Sequence, residues 1–226
     1  MAEEKRRSNY EKTMTDMASV FLRYDQEAMI RRFGLAWDER SLFVTFVGRR
    51  YRVDRADGGV SWSEDGFRTE TPAGHNEVMT LYDVLCHAGE APALAGQWVN
   101  LNSLSPIRGG TLAKGTGFFE KAGAAFLGQG ARLERACRAL GGRRLEKGDV
   151  AYAIDLFPFL PLALRFWDAD EDFPASLQIF TDKNILGYMR YETLMFAVTH
   201  VLERLEALGG ADRPAPAITL ERERRL

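Results

Sequence analysis

The chain has 226 residues, of which 46% are hydrophobic and 27% charged, an ordinary composition for a globular protein. A chain of this length buries enough apolar surface to fold without disulfides or a structural metal. Its 30 basic and 32 acidic residues give a formal net charge of −2, which argues against a protein that coats nucleic acid.

The cysteine content and the hydropathy pattern limit the compartment and the type of metal site. Cys86 and Cys137 are too few for a four-cysteine iron–sulfur cluster or an all-cysteine zinc site. The first residues are charged with no apolar segment behind them, and no apolar run approaches the ~20 residues that cross a bilayer. We therefore expect a reduced, cytoplasmic protein with no membrane or nucleic-acid partner.

The first half of the chain predicts a helix, three strands and a second helix. Apolar residues from Tyr10 onward recur three and four positions apart, which indicates an amphipathic helix that ends at Gly34. Alternating residues on either side of Gly48 predict a β-hairpin, and a turn at residues 57–59 leads into a third strand. The predicted ranges are 10–33 for the first helix, 42–47, 50–54 and 60–62 for the strands, and 77–89 for the second helix.

The second half predicts a similar order of elements. A helix over 118–140, strands over 150–156, 162–167 and 176–180, and a last helix that contains Leu194 and Leu205 are expected. A short strand at 97–101 and a glycine-rich loop at 109–117 connect the halves. Lys114 precedes Gly115, so the loop lacks the order of a phosphate-binding Walker motif and is interpreted as a connection.

This order predicts an α+β fold with one or two antiparallel sheets and helices on one side. Two interpretations of the order stay open: an internal duplication of a helix–three strands–helix unit over 10–88 and 118–208, or a coincidence of common elements. We expect a single globular domain over 9–208 and a flexible tail over 211–226. A duplicated fold favours a ligand cleft where the halves meet.

An acidic turn after Trp167 is the first candidate site. Asp168, Asp170, Glu171 and Asp172 lie within five residues. Carboxylates crowded in this way bind a hard cation or share a proton for acid–base chemistry. The alternative is a solvated turn between two strands. Asp155 and Asp182 flank the same strands and are candidates to join the cluster, which a structure decides.

The other candidates are weaker. Cys86 and His87 are adjacent on a predicted helix, so their side chains point about 100° apart and do not chelate one metal. Tryptophans stack planar ligands or form ordinary core edges, and this chain spreads four of them over both halves: Trp37, Trp62, Trp98 and Trp167. The sequence contains no HExxH, CxxC or GxSxG pattern, which removes the usual support for zincin and α/β-hydrolase functions.

The C-terminal half resembles a known family. The segment from Trp167 to Pro174, with Gly148-Asp149 before it and Phe180-Thr181-Asp182 after it, is similar to a block of an uncharacterised prokaryotic family, domain of unknown function 3786. A looser upstream resemblance lies over Leu94–Val99. The resemblance implies an accessory protein of anaerobic redox or corrinoid metabolism. Some members carry a small cysteine-rich iron–sulfur domain ahead of this one, and the chain departs from them because it has no such cysteines. It also has Arg190-Tyr191 where Pro-Thr is expected before the last helix.

We therefore expect a binding or accessory protein that holds a small molecule or a protein partner in a cleft between the halves. The candidate ligand-binding residues are Trp98, Trp167, Asp170, Glu171 and Asp182. One alternative is an enzyme that uses the carboxylates of the acidic turn with a divalent cation. Another is a structural interaction module. The sequence assigns no cofactor, and it leaves the ligand and the oligomeric state open.

Overall fold

A computed structural model describes residues 2–104 and 118–209, with side chains from residue 9 onward. These residues form six α-helices and two five-stranded antiparallel sheets, which confirms the predicted α+β class. The predicted glycine-rich loop at 109–117 and the predicted tail at 211–226 lie outside the described residues.

The elements follow one another in this order. The helices are α1 (Ala2–Phe21), α2 (Gln26–Phe33), α3 (His75–His87), α4 (Phe118–Ala125), α5 (Gly130–Ala139) and α6 (Tyr191–Gly209). The first sheet contains β1 (Ala36–Trp37), β2 (Ser41–Phe46), β3 (Arg49–Asp54), β4 (Val60–Ser63) and β5 (Thr71–Pro72), paired in chain order. The second contains β6 (Trp98–Asn100), β7 (Arg143–Arg144), β8 (Val150–Phe157), β9 (Leu160–Trp167) and β10 (Ser176–Asp182), in the spatial order β6-β10-β9-β8-β7.

The described residues divide into two compact units. The first contains residues 2–94, 156–159 and 184–200, and the second contains 95–104, 118–155, 160–183 and 201–209. The proposed repeat over 10–88 therefore lies within one unit, whereas residues 118–208 contribute to both. The single domain over 9–208 stays a prediction.

The prediction of one helix over 10–33 is wrong, because the chain breaks between α1 and α2. The side chain of Asp25 accepts a hydrogen bond from the Ala28 N–H at 3.0 Å, which caps the start of α2. The predicted stop is confirmed: Gly34 has a φ of 61° and donates its N–H to the Ile30 carbonyl. The hydrophobic spacing continues through the break, so it does not reveal the cap.

The single helix predicted over 118–140 is also two helices. Gly128, with a φ of 66°, lies between α4 and α5, and its N–H donates to the Asp168 carboxylate at 3.0 Å. A left-handed residue ends an α-helix, and the carboxylate compensates for the lost helical hydrogen bond. Gly128 is visible in the sequence as a residue that loosens the predicted helix, but the carboxylate that binds its N–H lies 40 residues away.

The predicted hairpin at Gly48 is confirmed and is tighter than expected. Phe46 pairs with Arg49, so a two-residue turn of Val47 and Gly48 joins β2 to β3. Both turn residues have positive φ, 46° and 68°, as in the turn type that matches the twist of paired strands. The inner face of these strands is wholly or almost wholly buried and consists of Leu42, Val44, Phe46, Tyr51 and Val53.

The pattern of the remaining strands is partly confirmed. The three long strands of the second sheet occur where alternation predicts them, although the turn between β8 and β9 is only two residues, Pro158 and Phe159. The two-residue strands β1, β5 and β7 were not predicted, because two residues are too few to show alternation. Five strands of the first sheet, β1 to β5, and four of the second, β7 to β10, are adjacent in chain order, and both interpretations of this similarity stay open.

None of the described helices is long and apolar enough to cross a membrane. Within the second unit, α4 packs closely against β10 at Gly123. A Cβ atom at this glycine would lie 2.9 Å from the Ala175 carbonyl oxygen and 3.3 Å from the Leu177 nitrogen. The absence of a side chain therefore sets the distance between the helix and the strand.

We expect Gly123→Ala to destabilise the protein by ~1–3 kcal/mol, because the added methyl group overpacks the contact between α4 and β10. Alanine raises helix propensity by ~1 kcal/mol, so a looser contact would give the opposite sign. Urea denaturation measures the change. Gly187→Ala is the matched control, since nothing lies within 4 Å of its added Cβ. Equal or greater stability of Gly123→Ala would contradict the close packing.

Candidate functional site

The carboxylates of the acidic turn bind mainly to the backbone of their own unit. Asp168 accepts hydrogen bonds from the N–H groups of Gly128 and Ala169, at 3.0 and 2.9 Å. The Asp168 N–H donates in turn to the Asp149 carboxylate at 2.8 Å. Asp149 and Asp168 therefore hold the turn in shape through hydrogen bonds from backbone N–H groups.

Asp170 has a similar structural role. Its Oδ1 accepts hydrogen bonds from the N–H groups of Asp172 and Phe173, at 2.9 and 2.7 Å, which forms a local turn. Glu171 and Asp172 are exposed, and Phe173 is 70% exposed. The ligand-binding role of Asp170 and Glu171 stays a prediction.

The predicted ligand residues do not gather at one place. Asp182 pairs with Trp98 at one end of β10, whereas Ser176 pairs with Trp167 at the other end. Six residues of extended strand separate these pairs by ~20 Å. Asp182 is buried, and its two carboxylate oxygens accept the N–H groups of Ala95 and Gly96 at 2.9 and 2.8 Å. Trp98 is 42% exposed.

Among residues 2–104 and 118–209, no three histidine, cysteine, aspartate or glutamate side chains come together as a metal site. Cys86 and Cys137 are free thiols, and burial raises the pKa of each to about 12.

His87 faces Asp83 on the preceding turn of α3, with 2.9 Å between His87 Nδ1 and Asp83 Oδ1. The Asp83 carboxylate also accepts the Arg190 N–H at 2.7 Å, so it caps the start of α6.

A depression in the first unit combines arginines with aromatic rings. It has a volume of about 340 Å³ and lies between the β2–β3 turn and the loop after β4. We call it the arginine depression, and it is lined by Gly48, Arg49, Arg50, Ser63, Glu64, Gly66 and Phe67. Because neighbouring residues on a strand point to opposite faces, Arg49 and Arg50 reach its rim from the two faces of the sheet.

The two arginines have different partners. Arg50 is exposed, and its guanidinium carbon lies 4.6 Å from the centre of the Phe43 ring and 5.8 Å from that of Phe67. Within the described part of the chain, no carboxylate pairs with Arg50. Arg49 pairs with Glu64 at 3.3 Å, and its guanidinium carbon lies over Trp62, 3.5 Å from the ring centre. Arg50 is therefore the cation available to a bound anion.

Strained backbone occurs at Phe67, which lines the arginine depression, and at Val47, which precedes the lining residue Gly48. Val47 and Phe67 are the residues other than glycine that have positive φ in the described ranges, 46° and 66°. The Val47 N–H donates to the Leu156 carbonyl at 2.8 Å, and the Phe67 N–H donates to Ser63 Oγ at 2.9 Å. Such strain persists only where surrounding contacts hold it, and it is concentrated at functional sites.

A buried polar network lies behind Arg49. Arg49 Nη1 is 3.4 Å from Glu77 Oε1, and the same oxygen accepts the Tyr51 hydroxyl at 2.5 Å. The Tyr51 oxygen is 3.2 Å from His200 Nε2. Tyr51, Glu77 and His200 are all less than 10% exposed. Burial, followed by the charge of Glu77, raises the pKa of Tyr51, so the phenol stays protonated.

Sequence reasoning missed this network because its members are far apart in the chain and belong to no motif. One signal was available: glutamate three residues after Gly74 matches the start of a capped helix. In the structure Glu77 Oε2 accepts the Gly74 N–H. Two adjacent arginines beside a buried tyrosine in β3 were a second signal, since their alternation places one of them on the core side.

Asp65 holds the outer wall of the arginine depression together. Hydrogen bonds from the Thr69 N–H, the Ser63 hydroxyl and the Thr69 hydroxyl lower its pKa from 3.8 to about 2. The ionised form is thus the one that the folded loop prefers. Its stabilising effect is complete above about pH 4 and is lost as the pH falls through about 2.

We expect Asp65→Asn to lower the melting temperature at pH 7, and the difference from the wild type to shrink between about pH 4 and about pH 2. Thermal unfolding followed by circular dichroism across this range measures the effect. Asp172→Asn removes an exposed carboxylate and is expected to change little. A difference that stays constant down to pH 2 would show that the charge of Asp65 is not what holds the loop.

Comparison with known proteins assigns the chain to a family without assigning an activity. No curated protein and no solved structure matches it. Residues 25–204, which contain both sheets and the helices α2 to α5, match the family described as "Domain of unknown function (DUF3786)". The match covers most of the chain, so the chain belongs to the DUF3786 family.

Proposed function

We propose that this chain is a binding protein that holds a small anionic molecule in the arginine depression. The observation that carries the proposal is the position of Arg50. Its exposed guanidinium lies over Phe43 and Phe67, and no carboxylate in the described ranges neutralises it. An arginine held on aromatic rings is oriented for two parallel hydrogen bonds to a carboxylate or phosphate group.

The charge balance of the depression supports an anion. Arg49 and Arg50 contribute two positive charges to the lining, and Glu64 contributes one negative charge. Arg52 is engaged elsewhere, because it pairs with Glu70 at 2.6 Å. The lining therefore has a net positive charge although the whole chain is slightly acidic. A depression of about 340 Å³ is within the size range of small-molecule sites.

The built geometry of the walls also supports a ligand site. The strained turn at Val47 and the strained residue Phe67 place the two arginines and the Ser63–Phe67 loop around one space. Each is held by a hydrogen bond to another part of the same unit. A binding site that is formed before the ligand arrives avoids part of the entropic cost of binding.

The hypotheses drawn from the sequence stay proposals about other parts of the chain. The alternative to the arginine depression is the ligand site predicted from the sequence, whose residues are Trp98, Trp167, Asp170, Glu171 and Asp182. An accessory role in anaerobic redox or corrinoid metabolism leaves the ligand of either site open. A cation-dependent enzyme at the acidic turn and a structural interaction module have no specific contact in their favour among the described residues.

We expect Arg50→Gln to weaken anion binding at least about tenfold, equivalent to ~1.4 kcal/mol, because it removes the charged fork and keeps a polar side chain. Isothermal titration of the purified protein with sodium sulfate and with sodium succinate measures the dissociation constants. Sodium chloride at equal ionic strength separates specific binding from screening. Arg31→Gln is the matched control, since Arg31 is an exposed arginine on α2 with a distant partner at 3.9 Å.

Trp167→Ala distinguishes the two locations. Under the proposal this variant binds the anion like the wild type, and Arg50→Gln does not. If Trp167→Ala loses the anion and Arg50→Gln retains it, the site lies at the acidic end of β10. Equal losses in Arg50→Gln and Arg31→Gln would show that only the overall charge matters, and the arginine depression would then be rejected.

A further inference from the structure

We propose that the arginine depression selects a ligand with one carboxylate and a planar aromatic body, an aryl monocarboxylate. This inference rests on the proposed function, because it names the class of ligand for the same site. Three observations point to it: the available cation Arg50, the ring of Phe67 beside it, and the carboxylate of Glu70, which occupies the neighbouring Arg52.

Arg50 lies on the face of the first sheet opposite its buried side. Alternation places Arg50 and Arg52 on this face together with Phe43, which pairs with Arg52 across the hairpin. Toward β4, Arg50 pairs with Ser63. The Ser63 hydroxyl oxygen accepts the Phe67 N–H at 2.9 Å, so this pairing brings the Phe67 loop next to Arg50.

The Phe67 ring is held by its surroundings and lines an open part of the depression. Its centre lies 5.4 Å from that of Phe43, with 54° between the ring planes. The guanidinium carbons of Arg50 and Arg52 each lie 5.8 Å from the Phe67 ring centre. A Cβ added to the preceding lining residue, Gly66, would have nothing within 4 Å. The depression therefore offers a held aromatic ring and open space beside the cation.

A carboxylate bound to Arg50 brings its own body near the Phe67 ring. Two N–H···O bonds of ~2.8 Å hold such a carboxylate in the plane of the guanidinium. Aromatic rings attract each other at ~4.5–7 Å between their centres, in offset or edge-to-face arrangements. A ring attached directly to the carboxylate reaches this range, whereas an aliphatic body lacks the ring quadrupole that favours the contact.

The charges around Arg50 favour a ligand with one negative charge. Arg52, the next arginine on the same face, pairs with Glu70 at 2.6 Å. Asp65 accepts the hydroxyl of Ser63, the residue opposite Arg50, at 2.7 Å. A second negative charge on the ligand therefore meets carboxylates rather than a further available cation, and like charges repel.

These contacts give three residues different roles. Arg50 binds the carboxylate of every ligand, so it sets the affinity without choosing among carboxylates. Phe67 selects for the aromatic ring. Glu70 selects against a second negative charge, because it keeps Arg52 engaged. The three roles predict different patterns across a series of ligands.

The first test is isothermal titration of the wild-type chain at pH 7.5 and constant ionic strength. The ligands are the sodium salts of benzoate, cyclohexanecarboxylate, acetate, succinate and sulfate. Benzoate and cyclohexanecarboxylate have the same charge and a similar size, but only benzoate is aromatic. We expect benzoate to bind about two- to tenfold more tightly than cyclohexanecarboxylate, the effect of one aromatic pair, and more tightly than either dianion. Equal dissociation constants for benzoate and cyclohexanecarboxylate would overturn the selection for a ring.

Phe67→Leu tests the residue that recognises the ring. The variant keeps an apolar side chain, and we expect it to lose the preference for benzoate over cyclohexanecarboxylate while acetate binds as before. Phe173→Leu is the matched control, since Phe173 is a 70% exposed phenylalanine of the second unit. A preference that persists in Phe67→Leu would overturn the role of Phe67. If Phe67→Leu fails to fold, the comparison of ligands on the wild-type chain decides.

Glu70→Gln tests the selection by charge. The variant releases Arg52 as a second cation on the face of Arg50, so we expect succinate and sulfate to bind about threefold or more tightly, with a smaller gain for benzoate. Glu171→Gln changes the net charge equally at an exposed residue of the second unit and is expected to leave all the affinities nearly unchanged. Equal gains for benzoate and the dianions would overturn the role of Glu70.

The outcomes separate this inference from the proposed function. If sulfate and succinate bind through Arg50 and benzoate has no advantage, the inference fails and the anion site stays. If none of the five anions binds the wild-type chain, both fail. A preference for benzoate that is unchanged in Arg50→Gln would place the ring outside the arginine depression, and both would then be rejected.

Discussion

The first unit depends on the contacts that the buried carboxylate of Glu77 makes. One oxygen accepts the Gly74 N–H at the start of α3, and the other faces Tyr51, Arg49 and His200. A single side chain thus connects a helix start, the second strand of the hairpin and the last helix. An ionised group in such a place is tolerated only because each oxygen has a partner, and this requirement fixes the register of Tyr51 and Arg49 in β3.

Local patterns were sufficient to predict most of the fold. Alternation located β2, β3, β4, β8, β9 and β10, and Gly34 and Gly48 marked a helix end and a hairpin turn correctly. The errors have one physical origin. The breaks before Gln26 and after Ala125 depend on hydrogen bonds to a cap or to a carboxylate from another element, and hydrophobic spacing does not contain that information.

The candidate site was less predictable than the fold, because proximity in sequence is a poor guide to proximity in space. The acidic turn concentrates charge, yet Asp168 and Asp170 use their oxygens to bind nearby backbone. The network of Arg49, Tyr51 and Glu77 is completed by a histidine more than a hundred residues away. The same principle applies at Arg190, whose N–H donates to Asp83 from α3 at the start of the last helix.

The buried network lies beside the arginine depression, because Arg49 belongs to both. Replacing a buried ionic cluster by apolar side chains of similar volume is often neutral or stabilising, so stability alone does not explain such a cluster. Here Arg49 connects the buried carboxylate of Glu77, at 3.4 Å, with the rim of the arginine depression, where it pairs with Glu64 at 3.3 Å. An apolar side chain in place of Arg49 would remove one of the two positive charges that the proposed anion site uses.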